Sequence, residues 1–149
     1  MQLLLTNIAL LKLHKGFAMK KLLFAFIFVI STISLPVLAD EQIAEVSVST
    51  VQAMVNASPA RAVVLDANNE QARAEAGVVP GALKLSSYNQ YALAELPADK
   101  NTTLVFHCYN SFCQASHMAA ARASQAGYKD VRVMKAGIVG WNAANKKTS

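Results

Sequence analysis

Residues 62–65 (Ala-Val-Val-Leu), 103–107 (Thr-Leu-Val-Phe-His) and 131–134 (Val-Arg-Val-Met) are short apolar runs, and each is separated from the next by a stretch of helical character. A run of four or five residues is too short for an ordinary helix and reads as a strand; the unbroken apolar character of the first two marks them as buried. Residues 50–57 carry Val51, Met54 and Val55 at helical spacing, with Ser49 or Thr50 as N-cap and Ser58-Pro59 as the stop. Residues 69–76 form an Ala-rich helix ended by Gly77. Residues 91–96 form a helical turn or two before Pro97, and residues 115–126 a helix stopped by Gly127. Brief strands are expected at 45–49 and 82–85, and a turn at Ala136-Gly137 leads to Trp141, a core residue. Strands alternating with helices require crossover connections, so the expected fold is α/β, a central parallel sheet flanked by helices on both faces. In such sheets the functional crevice lies beyond the carboxyl ends of the strands. Cys108, directly after the strongest strand, is placed there.

Charge matters here only once it is located. The chain has 14 Lys+Arg against 9 Asp+Glu, a formal +5, but every acidic residue lies at or after Asp40. Residues 40–149 hold ten basic and nine acidic side chains, a net +1, so no nucleic-acid partner is indicated. The excess belongs to the first 39 residues. There Lys20-Lys21 precedes the apolar run 22–30, followed by Pro36 and the small-residue ending Val37-Leu38-Ala39. Basic end, short apolar stretch and small residue at the cut make a secretory signal peptide over residues 1–39, with Met19 as an alternative translation start. The clean apolar run falls short of the ~20 residues a spanning helix needs, which argues against an uncleaved anchor. The expectation is an exported, periplasmic domain over residues 40–149, off the membrane after leader cleavage and monomeric.

Two cysteines, Cys108 and Cys113, are too few to staple a small scaffold, so they need another explanation, chemical or, for Cys108, as a buried, inert residue at a strand end. Cys108 stands where a strand becomes a loop feeding a helix. Successive backbone N–H groups in such a loop, together with the positive end of the helix dipole, stabilise an anionic sulfur. Cys113 follows on the same loop, within disulfide reach if the two α-carbons approach to about 7 Å. It then serves as a resolving thiol for a Cys108 persulfide or sulfenate, or as a packed helix-entry residue. His107 points to the opposite face from Cys108 and reads as packed, while His117 lies on the helix within possible approach of the loop. Cys108, Cys113 and His117 lack a fourth ligand and zinc spacing, so no metal is expected, and no cofactor. Arg73, Arg122 and Arg132 read as solvated.

The ordered segments Val63-Val64-Leu65-Asp66, Gly77-Val78-Val79-Pro80-Gly81-Ala82, Val105-Phe106-His107-Cys108, Gly127-Tyr128-Lys129-Asp130-Val131 and Ala136-Gly137-Ile138-Val139-Gly140-Trp141 resemble a single-domain rhodanese over about residues 45–145. The resemblance implies a sulfurtransferase in which Cys108 carries sulfane sulfur as a persulfide. The backbone N–H groups of Tyr109, Asn110, Ser111, Phe112 and Cys113 would cradle it, and Asp66 would support the site. A small sulfur donor and a thiol or cyanide-like acceptor are the implied partners. Departures are specific: Asp66-Ala67-Asn68 keeps the family's Asp but not the Arg two residues on, Val78 and Val79 replace His and Ile, and Ser111 stands where a Gly is usual. The Cys108-to-Gly127 stretch is about two residues longer than usual. The loop lacks Arg and Lys, which disfavours the dianion thiosulfate. Gln114 near the position of the related phosphatases' Arg argues against phosphatase activity. A dithiol redox protein using Cys108 and Cys113, or a non-catalytic sulfur-carrier or anion-binding module, are the alternatives.

Overall fold

The computed structural model describes residues 43–146. The signal-peptide reading of residues 1–39 and the Met19 start lie outside the described residues. In chain order the elements are β1 (Ala44–Glu45), α1 (Val48–Val55), β2 (Val63–Asp66), α2 (Glu70–Ala76), β3 (Leu83–Lys84), a 3-10 turn (Leu93–Glu95), β4 (Leu104–His107), α3 (Ala115–Gln125), β5 (Val131–Val133) and α4 (Gly137–Lys146). The strands form one sheet in the order β1-β5-β4-β2-β3, and every pairing is parallel. This is the α/β architecture that the alternation of runs predicts.

The pleat sorts side chains to the two faces. Leu65 of β2 and Leu104 and Phe106 of β4 join Cys108 against Ala119, Ala120 and Ala123 of α3. Val64 and Val105, one residue out of phase, pack with Val51 of α1 and with Ile138 and Trp141 of α4. Alanine along one side of α3 lets that helix lie close on the sheet. Burying Phe106 or Leu104 is worth roughly 1.5–3 kcal/mol each. β4 is the central strand, flanked by β5 and β2, so the residue that follows it emerges at the middle of the sheet's carboxyl edge.

Two boundaries differ from expectation. The first strand is only Ala44–Glu45, and α1 begins at Val48 because Ser47, rather than Ser49 or Thr50, caps it: its Oγ accepts the Thr50 N–H at 3.1 Å. Residues beyond 136, expected as a turn, form the ten-residue α4. Gly140, in the interior, weighs against a helix by about 1 kcal/mol, and burial of Ile138 and Trp141 on one side offsets it. No helix among the described residues is long and apolar enough to cross a membrane.

Candidate functional site

Cys108 follows the last residue of β4 and is 1% exposed. A disulfide joins it to Cys113, with the α-carbons 6.3 Å apart. The Cys108 sulfur also lies 3.3 Å from the hydroxyl of Ser116, a fully buried residue in the first turn of α3. Gln114, the N-cap of α3, makes no side-chain capping bond, so the first turn is closed by no side-chain oxygen. Ser116 is the functional candidate that the sequence reading missed. Its signal is a hydroxyl in the opening turn of the helix after the cysteine loop, on an otherwise alanine face.

The loop is shaped from within and from behind. Within it, Asn110 closes a tight turn: its Oδ1 accepts the Phe112 N–H at 3.0 Å and its carbonyl the Cys113 N–H at 3.1 Å. Behind it, Ile138 N–H donates to the Cys108 carbonyl at 2.9 Å and Val139 N–H to the Tyr109 carbonyl at 3.0 Å. That approach requires Gly137, whose φ is +63° and where a Cβ would fall 2.5 Å from the Tyr109 carbonyl oxygen and 2.6 Å from that of Cys108. Of the five amides expected to cradle sulfur, Phe112 and Cys113 are therefore committed to Asn110. Those of Tyr109, Asn110 and Ser111 make no hydrogen bond among the described residues. Tyr109 packs on the core beside Val105, whereas Phe112 projects outward at 88% exposure.

Asp66 ends β2 opposite His107 in the parallel register. Its carboxylate is fully buried; Oδ1 accepts the Asn68 N–H at 2.9 Å and Oδ2 accepts Arg73 Nε at 3.0 Å. Arg73 also donates to the carbonyls of Asp66 at 3.1 Å and Leu85 at 2.8 Å. Its side chain is 8% exposed, which corrects the solvated reading. The missing Arg after Asp66 thus has a counterpart seven residues along, on α2. Arg122 is likewise not free: its Nε donates to the Tyr91 carbonyl at 3.2 Å and its guanidinium lies over the Tyr91 ring. Arg132 pairs with Asp130 at 2.7 Å.

His107 is fully buried, and its Nδ1 lies 3.2 Å from the Cys108 carbonyl, which makes Nδ1–H the donor. Burial holds its pKa below the usual histidine range, against the opposing charge of Asp66. His117 turns to Glu45 on β1, 3.4 Å from Nε2, and not to the cysteines.

A family model for the rhodanese-like domain matches residues 47–144. The chain belongs to the rhodanese-like domain family. Solved structures share the fold at low identity. A protein of Bacillus halodurans matches at TM-score 0.59 and 19% identity, covering 68% of this chain and 73% of that one. A human single-domain sulfurtransferase matches at TM-score 0.52 and 23% identity, over 66% of this chain and 95% of that one. A Rhodopseudomonas palustris protein described as a possible tyrosine phosphatase matches at TM-score 0.56 and 18% identity, over 69% and 82%. No curated protein matches the sequence. In this rhodanese-like domain Cys108 stands at the carboxyl edge of the central strand, at the head of the loop that enters α3.

Proposed function

We propose that this rhodanese-like domain is a sulfurtransferase that carries sulfane sulfur as a persulfide on Cys108. The observation that carries the reading is the setting of the Cys108 sulfur: buried at the end of the central strand and 3.3 Å from the Ser116 hydroxyl in the opening turn of α3. As a thiol Cys108 donates to Ser116 Oγ and to the Cys113 carbonyl at 3.2 Å. On ionisation the rotatable serine hydroxyl can turn its hydrogen onto the sulfur, and with the positive end of the helix it favours the anion against that carbonyl. In the loading step the Cys108 thiolate attacks the outer sulfur of the donor. The donor's S–S bond breaks, its remainder leaves with the electron pair, and Cys108–S–S⁻ remains. In the unloading step an acceptor thiolate or cyanide attacks that outer sulfur, and the pair returns to Cys108. The loop offers no guanidinium or ammonium, so a singly charged hydropersulfide or polysulfide suits it better than thiosulfate, and phosphate-ester chemistry has no cation to lean on.

Intact-mass measurement of the reduced protein after exposure to polysulfide tests the proposal. One added sulfur is expected, lost in Cys108→Ala and kept in Cys113→Ala; no adduct under any donor refutes it. The Cys108–Cys113 disulfide favours a second reading, a dithiol redox protein. That reading expects loss of two hydrogens under mild oxidant, abolished by either substitution, and no sulfur uptake. In the same proposal the domain is an exported, periplasmic monomer released from its leader after Ala39. N-terminal sequencing of the exported protein is expected to begin at Asp40.

A further inference from the structure

The two sulfurs of the disulfide are not equivalent. Cys108 is 1% exposed, at the end of β4, with the Ser116 hydroxyl against its sulfur. Cys113 is only partly buried, on the outer part of the loop between two exposed residues, Phe112 and Gln114. In thiol–disulfide exchange a thiolate attacks one sulfur and expels the other, so access selects the sulfur attacked and anion stabilisation selects the one that leaves. Access points to Cys113 as the sulfur attacked, and the Ser116 hydroxyl, free to turn its hydrogen onto the departing anion as the loop carries the Cys113 carbonyl away, points to Cys108 as the one that leaves. Attack at Cys108 would demand entry to a buried strand end, and would expel a sulfur that has no such hydroxyl against it among the described residues.

We infer that an external thiol opens the disulfide through Cys113, which takes up the mixed disulfide while Cys108 is released as the free thiolate. The inference rests on the proposed role of Cys108 as sulfur carrier, since the exchange delivers that residue ready to act. One bond forms, between the incoming sulfur and Cys113 Sγ; one breaks, between Cys113 Sγ and Cys108 Sγ. The electron pair and the charge of the incoming thiolate pass to Cys108. A second thiolate then attacks the adduct and leaves as R–S–S–R with the first, so two thiols are oxidised as the pair is reduced. Cys113 is then the entry port of the site, a different task from resolving a persulfide. Residues 109–116 carry no charged side chain, so the port selects its thiol by reach and by the apolar flank of Phe112 and not by charge. Sulfur transfer is thereby gated by the supply of thiol.

The experiment uses the oxidised full-length chain and glutathione. After a brief exposure the reaction is stopped with acid, free thiols are blocked with maleimide in denaturant, and fragment mass spectrometry locates each group. Glutathione on Cys113 with maleimide on Cys108 is the expected pattern, in large excess over its reverse. Glutathione on Cys108, an even split, or no adduct on a disulfide that a phosphine reduces readily overturns the inference. Ser116→Ala is expected to slow the opening about fivefold, the worth of one hydrogen bond to the departing anion; an unchanged rate overturns Cys108 as the leaving sulfur. Sulfur uptake by reduced Cys113→Ala protein is read separately. Its failure refutes the sulfurtransferase while leaving the exchange pattern standing, and the converse holds equally.

Discussion

Replacing Arg73 with alanine strands a carboxylate that no solvent reaches. Asp66 is fully buried and would keep a single donor, the Asn68 N–H, while the carbonyls of Asp66 and Leu85 would each lose a guanidinium bond. Breaking a buried pair by removing one partner typically costs about 3–5 kcal/mol, a large share of the roughly 5–15 kcal/mol that holds a domain of this size together. The bond to Glu70 adds little, because that carboxylate is 87% exposed. Urea unfolding of wild type and Arg73→Ala should show the loss directly, with a melting temperature lower by roughly 4–8 °C per kcal/mol. Arg73→Lys should fall between them, since an ammonium keeps the charge but cannot reach Asp66 Oδ2 and both carbonyls as the planar fork does. Pairing Arg73→Ala with Asp66→Asn should recover part of the loss, because no charge is then left buried alone. A cost below about 1 kcal/mol, the range of exposed pairs, or a double variant no more stable than Arg73→Ala, would refute the reasoning.

Gly137→Ala forces a side chain into the carbonyls of Cys108 and Tyr109 at a positive φ. The strain should cost at least about 1–3 kcal/mol in urea unfolding and depress sulfur uptake; unchanged values would mean the loop does not depend on this approach. In a Cys113→Ala background, Ser116→Ala should raise the pH midpoint of Cys108 alkylation by about one unit, and no rise would remove the hydroxyl from the site's electrostatics. His107 supplies a pH dependence of known sign. Burial lowers its folded pKa, so the unfolded chain binds more protons once pH drops below about 6.5. Its contribution to stability is therefore complete above that pH and is lost as pH falls toward the folded pKa. Urea midpoints between about pH 7 and pH 5 should decline less steeply in His107→Asn; identical slopes would sink the assignment.

Legibility in the sequence followed the range of the forces involved. β2 and β4 are plain as apolar runs because burial on both faces keeps polar residues to their carboxyl ends, Asp66 and His107, and the position of Cys108 follows from the strand before it. The helix over residues 70–76 is equally local, capped by Asn69 and stopped by Gly77. What escaped was set by tertiary contact. Arg73 reads as a solvated helix residue until the fold brings it beside the end of β2, and α4 is hidden by Gly137 at its start and by the interior Gly140, whose cost core packing offsets. Ser116 shows in the sequence only as a lone hydroxyl on an alanine face, and its contact with the Cys108 sulfur appears once the loop folds back onto it. Asn110, by spending its side chain and carbonyl on neighbouring amides, removes donors that a reading of spacing alone assigns to the ligand.

The bonds from Ile138 and Val139 to the carbonyls of Cys108 and Tyr109 tie the head of the cysteine loop to the last helix of the domain. Chains are made from the amino end, and a chain that has reached Met134 already contains every strand among the described residues and both cysteines, yet none of those donors. During synthesis the thiols therefore exist before the scaffold that orients them. The order in which oxidation and completion of α4 occur becomes a property of the protein's biogenesis, and a chain cut short before Gly137 would carry both cysteines without the bonds that shape their loop.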